Sequence, residues 1–278
     1  MNYRHAFHAG NFADVVKHLA LSAIILHLRR KEKAFCAIDT HAGAGLYALD
    51  GAQALRTGEA ETGIGRFRGL SGTRLPEALA AYLDCVGQEG EGRYPGSPRI
   101  AARLLRPPDR LVAIEKHPED AASLRSALSE FRNVRVVQGD GYQHLPGLLP
   151  PAERRGVILI DPPYEADDEF ERAVELLAGA HRRFATGIYL LWFPIKFKGA
   201  ADAFCGEVRT RVPASMSRLD IDLGRPAESE KERLSAAGLL VVNPPFGFED
   251  EMNAATAILS ALLGRSAEKP ATIKFAAV

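Results

Sequence analysis

Cysteine is scarce in this chain, and long apolar runs are absent. Only three of the 278 residues are cysteines, Cys36, Cys85 and Cys205. They lie far apart and form no CxxC pair, which argues against a disulfide framework and a cysteine-rich zinc site. No apolar run approaches the roughly 18–20 residues of a membrane span, and the first residues lack the pattern of a signal peptide. We therefore expect a cytoplasmic protein that contacts no membrane.

The chain also has no net charge. Lysine plus arginine and aspartate plus glutamate both total 35, so the formal charges cancel. A neutral chain has no general attraction to phosphate polyanions, but net charge does not describe local patches. In residues 1–33, six basic residues stand against only Asp14 and Glu32. This segment predicts a local basic patch that acids elsewhere balance.

Short buried strands alternate with helices along the sequence. A helix over 11–30 begins at Asn11, a residue that favours the N-cap position, and keeps its apolar residues at steps of three and four. Such alternation predicts an α/β fold with a mostly parallel sheet and helices on both faces. The apolar runs that predict strands are 34–39, 110–115, 134–140, 156–161, 187–195, 219–223, 238–242 and 271–277.

Four of these runs end in an acid, namely Asp39, Glu115, Asp140 and Asp161. Ligands of open parallel sheets bind outside the carboxyl ends of the strands, so these acids predict the position of the functional site. Residues 47–105 interrupt the alternation and are much longer than an ordinary crossover. We interpret them as an inserted helical subdomain within a single domain over 1–278.

A glycine turn, DTHAGAG at 39–45, follows the first predicted strand. Gly43 and Gly45 allow the backbone to approach a ligand closely. With the next three residues the run fits G-x-G-x-x-A, a weak form of the dinucleotide fingerprint. The next strand-end acid is Glu115, much farther on than in nicotinamide sites. The turn thus predicts a nucleoside-type cofactor without fixing which one.

A second turn, DPPY at 161–164, is more specific. Two prolines make the turn rigid and remove two amide donors. The Asp161 carboxylate and the Pro162 carbonyl can together accept both hydrogens of an exocyclic amine, and Tyr164 offers a face on which a base can stack. NPPF at 243–246 has the same form, but it follows a later strand, so we interpret it as a structural turn.

These motifs resemble the S-adenosylmethionine-dependent amino-methyltransferases, whose signature is (D/N/S)-PP-(Y/F/W). Within that class the chain is similar to the RlmJ family, bacterial 23S ribosomal RNA adenine-N6-methyltransferases. The resemblance covers YRHAFHAGNFADVVKH at 3–18, the glycine turn, YPGSP at 94–98 and RRGVILIDPPYE at 154–165. It implies a Rossmann-like class I methyltransferase fold with a seven-stranded sheet, S-adenosylmethionine as cofactor, 23S ribosomal RNA as partner, a monomer, and no metal.

The resemblance also implies roles for individual residues. Asp161, Pro162 and Tyr164 would be catalytic, and Tyr3 and Tyr164 would contact the RNA. The residues implied to bind the cofactor are His18, His41, Gly43, Ser97, Glu115, Asp140, Gly141 and Asp161.

Other functions use some of the same features. A DNA adenine-N6 or a protein glutamine methyltransferase can carry the same DPPY turn, so only the wider resemblance separates these from an RNA enzyme. A nicotinamide-dependent oxidoreductase would leave DPPY unexplained. A catalytically silent RNA-binding module would have no use for an intact cofactor turn, a diol-binding acid and DPPY. The sequence therefore favours methylation of one adenine, held in a pocket after it has turned out of its helix.

Overall fold

The structure, a computed structural model, describes residues 5–70, 74–224, 234–266 and 268–278. A large sheet runs through it, with strand order β10-β8-β9-β7-β6-β1-β4-β5, and a separate two-stranded sheet joins β2 and β3. The strands are β1 Cys36–Asp39, β2 Leu46–Ala48, β3 Arg93–Pro95, β4 Arg110–Glu115, β5 Val134–Gln138, β6 Gly156–Ile160, β7 Ile188–Pro194, β8 Met216–Asp222, β9 Ala236–Val242 and β10 Thr272–Ala276.

The large sheet confirms the predicted α/β fold. Strands β5, β4, β1, β6 and β7 pair in parallel. Strand β9 lies antiparallel between β7 and β8, so β8 points the same way as the parallel strands. The predicted count of seven strands is wrong, because Thr272–Ala276 pairs antiparallel with β8 and adds an eighth strand at that edge. The seven-stranded sheet implied by the family resemblance does not include the last predicted strand, 271–277.

Helices cover both faces of the sheet. They are α1 Phe12–Arg29, α2 Ala52–Thr57, α3 Glu59–Thr62, α4 Glu77–Gly87, α5 Ser97–Leu104, α6 Pro118–Ala127, α7 Gly141–Leu148, α8 Glu169–Arg183, α9 Lys198–Arg211 and α10 Phe248–Leu263. As predicted, Asn11 caps α1, and its side chain accepts a hydrogen bond from the Asp14 amide at 2.9 Å. Within the described ranges, no helix combines the length and the apolar character needed to cross a membrane.

The apolar core has two layers, one on each face of the sheet. Successive strand residues alternate between them: Ala37 packs into one layer, whereas Cys36 and Ile38 pack into the other. Helix α1 lies in the first layer with α4, α5 and α10, while α8 and α9 fill the second. Because α1 is buried along most of its length, a charged side chain in its buried part must find a partner inside the protein.

The segment between β1 and β4 contains the predicted insertion. Strands β2 and β3 pair antiparallel, with Tyr47 opposite Tyr94, and so bring together the two ends of residues 49–92. Helices α2, α3 and α4 lie within this stretch. The buried α4 residues Leu79 and Tyr82 belong to the same apolar layer as α1. Helix α5 follows β3 and begins next to the carboxyl end of β1, where Ser97 bonds to Asp39.

Candidate active site

A cavity of about 290 Å³ lies at the carboxyl ends of β1, β4 and β6. Because parallel strands present their carboxyl ends along one edge, residues far apart in the sequence meet here. The cavity brings together nine of the predicted residues: His18, His41, Gly43, Ser97, Glu115, Asp140, Gly141, Asp161 and Pro162.

Of the two predicted tyrosines, only Tyr164 can be placed, and it does not line the cavity. Tyr3 lies outside the described residues. The Tyr164 ring packs against Phe170 at 4.6 Å and Trp192 at 5.7 Å between ring centroids. Its hydroxyl donates to the Trp192 carbonyl at 2.8 Å. In this conformation the ring holds the turn against β7, and stacking of Tyr164 on a base stays a prediction.

The glycine turn binds the acid at the end of β4. The Gly43 amide donates to Oε2 of Glu115 at 2.8 Å, and the His117 amide donates to Oε1 at 2.7 Å. Gly43 has φ of 62°, and a Cβ there would lie 2.2 Å from the Tyr47 hydroxyl oxygen, so only glycine fits. Burial raises the pKa of Glu115. Each carboxylate oxygen keeps acceptor capacity after its amide bond, which suits the recognition of a diol.

Asp140 and Gly141 form the start of α7. Oδ1 of Asp140 caps the helix by accepting from the Tyr142 amide at 2.9 Å, and Lys116 donates to Oδ2 at 2.9 Å. Burial alone would raise the pKa of Asp140, but the Lys116 ammonium lowers it below its usual range. A Cβ on Gly141 would lie 2.2 Å from the Thr40 carbonyl oxygen. Glycine therefore lets α7 begin directly against the end of β1.

The two predicted histidines are neutral, His18 buried and His41 half-buried. Nδ1 of His18 hydrogen-bonds with the Tyr94 hydroxyl at 2.7 Å, and Nδ1 of His41 with the Thr40 hydroxyl at 2.8 Å. Burial lowers the pKa of His18 to about 3 and that of His41 to about 4. Both rings therefore enter the cavity at neutral pH as uncharged hydrogen-bonding groups.

Ser97 is held by the acid at the end of β1. Its hydroxyl donates to Oδ2 of Asp39 at 2.6 Å. Burial raises the pKa of Asp39 to about 6, although the Ser97 hydrogen bond opposes this shift. Ser97 and Gly96 stand at the start of α5 and line the cavity. A helix N-terminus favours a carboxylate, so this corner of the cavity suits the acid group of an amino acid.

Lys17 was not among the predicted site residues, yet it contacts Asp161. Its ammonium donates to Oδ2 of Asp161 at 2.5 Å and lies 2.8 Å from Oδ1 of Asp14. The Lys17 side chain is 4% exposed and that of Asp14 is 2% exposed. Burial alone would lower the pKa of Lys17, but the two carboxylates raise it above its ordinary value. Lys17 therefore stays charged and fixes one oxygen of Asp161.

The sequence does contain a signal for the Asp14–Lys17 pair. Asp14 and Lys17 stand three residues apart within the apolar stretch of α1, so they share a face of a buried helix. Buried charges are paired, and that pairing could have directed attention to the site. The rim formed by Tyr142, Glu169 and Arg172 had no such signal. There the Tyr142 hydroxyl donates to Glu169 at 2.7 Å, and the Arg172 guanidinium lies 4.1 Å from the Tyr142 ring centroid.

The second turn, NPPF, lies at the end of the strands that faces away from the cavity. It follows β9, which runs antiparallel to β7, so its strand ends beside Tyr189 at the beginning of β7. The Asn243 amide group donates to the carbonyls of Ala185 and Gly187, both at 2.8 Å. The turn therefore lies away from the cavity, and these two bonds agree with its interpretation as a structural turn.

The strand order, the glycine turn after β1, the acid after β4 and the DPPY turn after β6 define a class I methyltransferase. Comparison with known families agrees. Residues 32–274 match the family described as "ribosomal RNA large subunit methyltransferase D, RlmJ". This chain belongs to that RlmJ family, which confirms the resemblance seen in the sequence.

Curated relatives support the same assignment over most of the chain. The chain is 42% identical over 257 residues to ribosomal RNA large subunit methyltransferase J of Escherichia coli, which covers 91% of this chain and 90% of the relative. It is 40% identical over 258 residues to the protein of the same name from Haemophilus influenzae, with the same shares covered. A crystal structure of a protein from Legionella pneumophila aligns with a TM-score of 0.87 at 30% identity, over 97% of this chain and 98% of that one.

Proposed function

We propose that this protein transfers a methyl group from S-adenosylmethionine to the exocyclic N6 amine of a specific adenine in 23S ribosomal RNA. The observation that carries the proposal is the Asp161–Pro162 turn, which opens onto the same cavity as the glycine turn and Glu115. A group that holds an amine and a set of residues suited to a nucleoside cofactor thus share one space. The names of the two curated relatives support ribosomal RNA as the substrate.

The residues of the cavity fit S-adenosylmethionine in three separate places. Glu115 has acceptor capacity for ribose hydroxyls, the start of α5 at Ser97 suits the amino-acid end, and Asp140 with Gly141 borders the space for the adenine. Gly43 lines the same cavity, and its amide holds Glu115 in place. When bound, the cofactor supplies the methyl group that the substrate amine takes up.

Asp161 is suited to bind the amine because only one of its oxygens is engaged. Oδ2 accepts from Lys17, whereas Oδ1 has no hydrogen bond within the residues that the structure describes. In the proposed complex, Oδ1 and the Pro162 carbonyl accept the two hydrogens of N6. These bonds favour a more tetrahedral nitrogen with an available lone pair and stabilise the positive charge that develops on it. Asp161 then takes the surplus proton directly or through a water molecule.

Lys17 and Asp14 orient this carboxylate. Lys17 is held between two acids inside the protein, so the position of Asp161 is set before the substrate arrives. Such alignment of the reacting groups provides much of the rate enhancement in transfer reactions. Tyr164 remains the proposed stacking partner for the base. Its bond to the Trp192 carbonyl would fix the turn from which the ring acts.

The other methyltransferase substrates are less well supported. A DNA adenine or a glutamine side chain would present a similar amine to Asp161, but both curated relatives are named for ribosomal RNA. We further propose that the protein acts as a monomer in the cytoplasm, where ribosomal RNA is made and assembled in bacteria.

The proposal is tested with Asp161→Asn, which removes the carboxylate charge and keeps the shape of the side chain. Methylation of 23S RNA from a strain that lacks the gene should fall by at least about a thousandfold, in line with the loss of a key charge-stabilising group. Binding of S-adenosylmethionine, measured by calorimetry, should change little. Methylation is followed as N6-methyladenosine by mass spectrometry of digested RNA.

Asp84→Asn is the matched control, because Asp84 is exposed on α4, and it should retain full activity. Substantial turnover by the Asp161→Asn variant would contradict the catalytic role. Absence of any new N6-methyladenosine with the wild-type protein would contradict the substrate.

A further inference from the structure

The cavity cannot by itself attract RNA. Six acidic and three basic side chains line it, so its rim disfavours phosphate groups. Of the basic residues in 1–33, Lys17 is buried between two acids in the site. Arg29, Arg30, Lys31 and Lys33 are exposed but lie at or beyond the far end of α1. The attraction for a polyanion must therefore come from another part of the surface.

Residues 29–33, here called the basic loop, connect α1 to β1 at the edge of the sheet opposite the cavity. The loop contains four basic residues and Glu32, and all five are exposed. Cations near a helix C-terminus are favoured by the helix dipole, which accounts for Arg29 and Arg30. It does not account for Lys31 and Lys33, which lie beyond the helix. Among the described residues, Arg29, Lys31 and Lys33 form no salt bridge.

Two further arginines hold the basic loop in one conformation. Arg106 donates to the carbonyls of Arg29 at 3.1 Å and Lys31 at 2.9 Å, and Arg155 donates to the carbonyl of Lys33 at 2.6 Å. Arg106 is itself fixed by a bidentate pair with Asp109, at 2.8 and 2.9 Å. The loop therefore presents its charges from a preorganised backbone, which lowers the entropic cost of binding a partner.

An exposed aromatic ring stands beside the basic loop. Phe246, the last residue of NPPF, is 93% exposed and shares a shallow depression with His27, Arg30, Glu77 and Glu251. Arg30 lies 3.9 Å from Glu77 in an exposed ion pair, so the unpaired charges beside the ring come from the rest of the basic loop. The methyl-transfer site makes no use of this turn. Cationic side chains next to an exposed aromatic ring are the combination with which proteins bind single-stranded nucleic acid, by phosphate contacts and base stacking.

We propose that the basic loop and Phe246 form a second RNA-binding surface, which holds a single-stranded segment of the substrate away from the target adenine. The substrate class rests on the proposed function. The two surfaces are well separated, because Arg29 lies twelve residues beyond Lys17 on α1, about 18 Å at 1.5 Å per residue. A short RNA seated in the cavity does not reach the basic loop, whereas a longer RNA contacts both.

The test compares two RNAs and two triple variants. The RNAs are a transcript of full-length 23S RNA and the shortest fragment that the wild-type protein still methylates. Arg30→Gln/Lys31→Gln/Lys33→Gln should raise KM for the full-length RNA about tenfold and leave kcat and the KM for the fragment unchanged. The slope of log KM against log salt for the full-length RNA should fall by about 2, since each single-strand phosphate contact contributes about 0.7.

Arg125→Gln/Arg209→Gln/Lys269→Gln is the matched control, because it removes the same charge from exposed residues elsewhere. It should keep the wild-type KM and salt slope. Phe246→Leu should raise KM for the full-length RNA by a factor of two to five, since it retains an apolar side chain and loses the stacking face.

The outcomes separate the two proposals. Equal KM values for both triple variants on full-length RNA would overturn the second surface, as would an equal rise on both RNAs. Intact ribosomal particles are assayed as a third substrate. A rise in KM for these particles alone would assign the surface to a ribosomal protein and overturn the proposal. Failure of the wild-type protein to methylate either RNA would instead contradict the proposed function.

Discussion

The turns DPPY and NPPF have nearly the same sequence but lie at opposite ends of the strands of one sheet. Each follows a buried strand, and each contains a residue with left-handed backbone, Tyr164 with φ of 51° and Asn243 with φ of 55°. Strand β6 runs parallel to its neighbours and ends at the cavity, whereas β9 runs antiparallel and ends at the other edge. The direction of the preceding strand therefore decides which turn can reach the cofactor site.

The two turns also differ in how their first residue is held. Asp161 bonds to a buried ammonium group that is shared with Asp14. Asn243 bonds through a neutral amide to two main-chain carbonyls. The DPPY turn thus depends on buried charge, whereas the NPPF turn depends on ordinary hydrogen bonds. Three substitutions test this difference, from the largest expected effect on stability to the smallest.

Lys17→Met should have the largest effect. The variant leaves Asp14 and Asp161 near each other without their shared cation, and breaking a buried ion pair from one side costs about 3–5 kcal/mol. Urea unfolding measures the loss of stability, and methylation should fall with it. Lys116→Met is the control, because that side chain is 59% exposed and its pair with Asp140 should contribute less than about 1 kcal/mol. A similar cost for both variants would remove the distinction between a buried and an exposed pair.

Lowering the pH should decrease the free energy of unfolding through His18, which lines the cavity. Its pKa is about 3 in the folded protein, below the ordinary value of 6.5, so the unfolded chain binds the proton first. The stability that comes from keeping His18 neutral is present above pH 6.5 and is lost as the pH falls toward the folded-state pKa of about 3. Between pH 7 and pH 5 the loss is about 2 kcal/mol, at 1.36 kcal/mol per unit.

His18→Gln should flatten the dependence of unfolding free energy on pH by that amount, as followed by urea unfolding at pH 5, 6 and 7. A variant at the NPPF turn should keep the wild-type slope, because Asn243 does not titrate. An unchanged slope in the His18→Gln protein would show that His18 is not held neutral by burial.

Asn243→Gly should have the smallest effect. Glycine tolerates the left-handed backbone of this position, so the substitution isolates the two hydrogen bonds to Ala185 and Gly187. Their loss should cost about 1 kcal/mol in urea unfolding. The value of kcat/KM on a short RNA should match the wild type, and a large drop in it would connect this turn to the chemistry.

Much of the site could be predicted because its residues stand at the ends of strands. A buried apolar run that ends in an acid, as at Glu115 or Asp161, carries its position in the fold within its own sequence. Parallel packing then brings such ends to one edge. This reasoning correctly placed Gly43 and Asp140 at one cavity. Ser97 was placed there by the family resemblance.

The parts that could not be predicted depend on side-chain direction in three dimensions. Nothing local indicates that Lys17 crosses from α1 to Asp161, since the two residues are 144 positions apart. The conformation of Tyr164 depends on Phe170 and Trp192, which α8 and β7 bring to it. The basic residues of 1–33 were expected to form one local patch. Among the described ones, however, Lys17 is buried in the site, and the others lie at the far end of the 18-residue helix α1.

The eighth strand has a consequence for the behaviour of the protein in a crowded cell. Without β10, the large sheet would end at β8, whose middle residues are buried, and an open apolar strand is a template for association with other chains. The strand that forms the outer edge instead carries Lys274 at an exposed position, and the opposite outer strand, β5, carries Arg135. A cation within each outer strand discourages the addition of further strands, so the sheet can remain long and apolar inside without promoting aggregation.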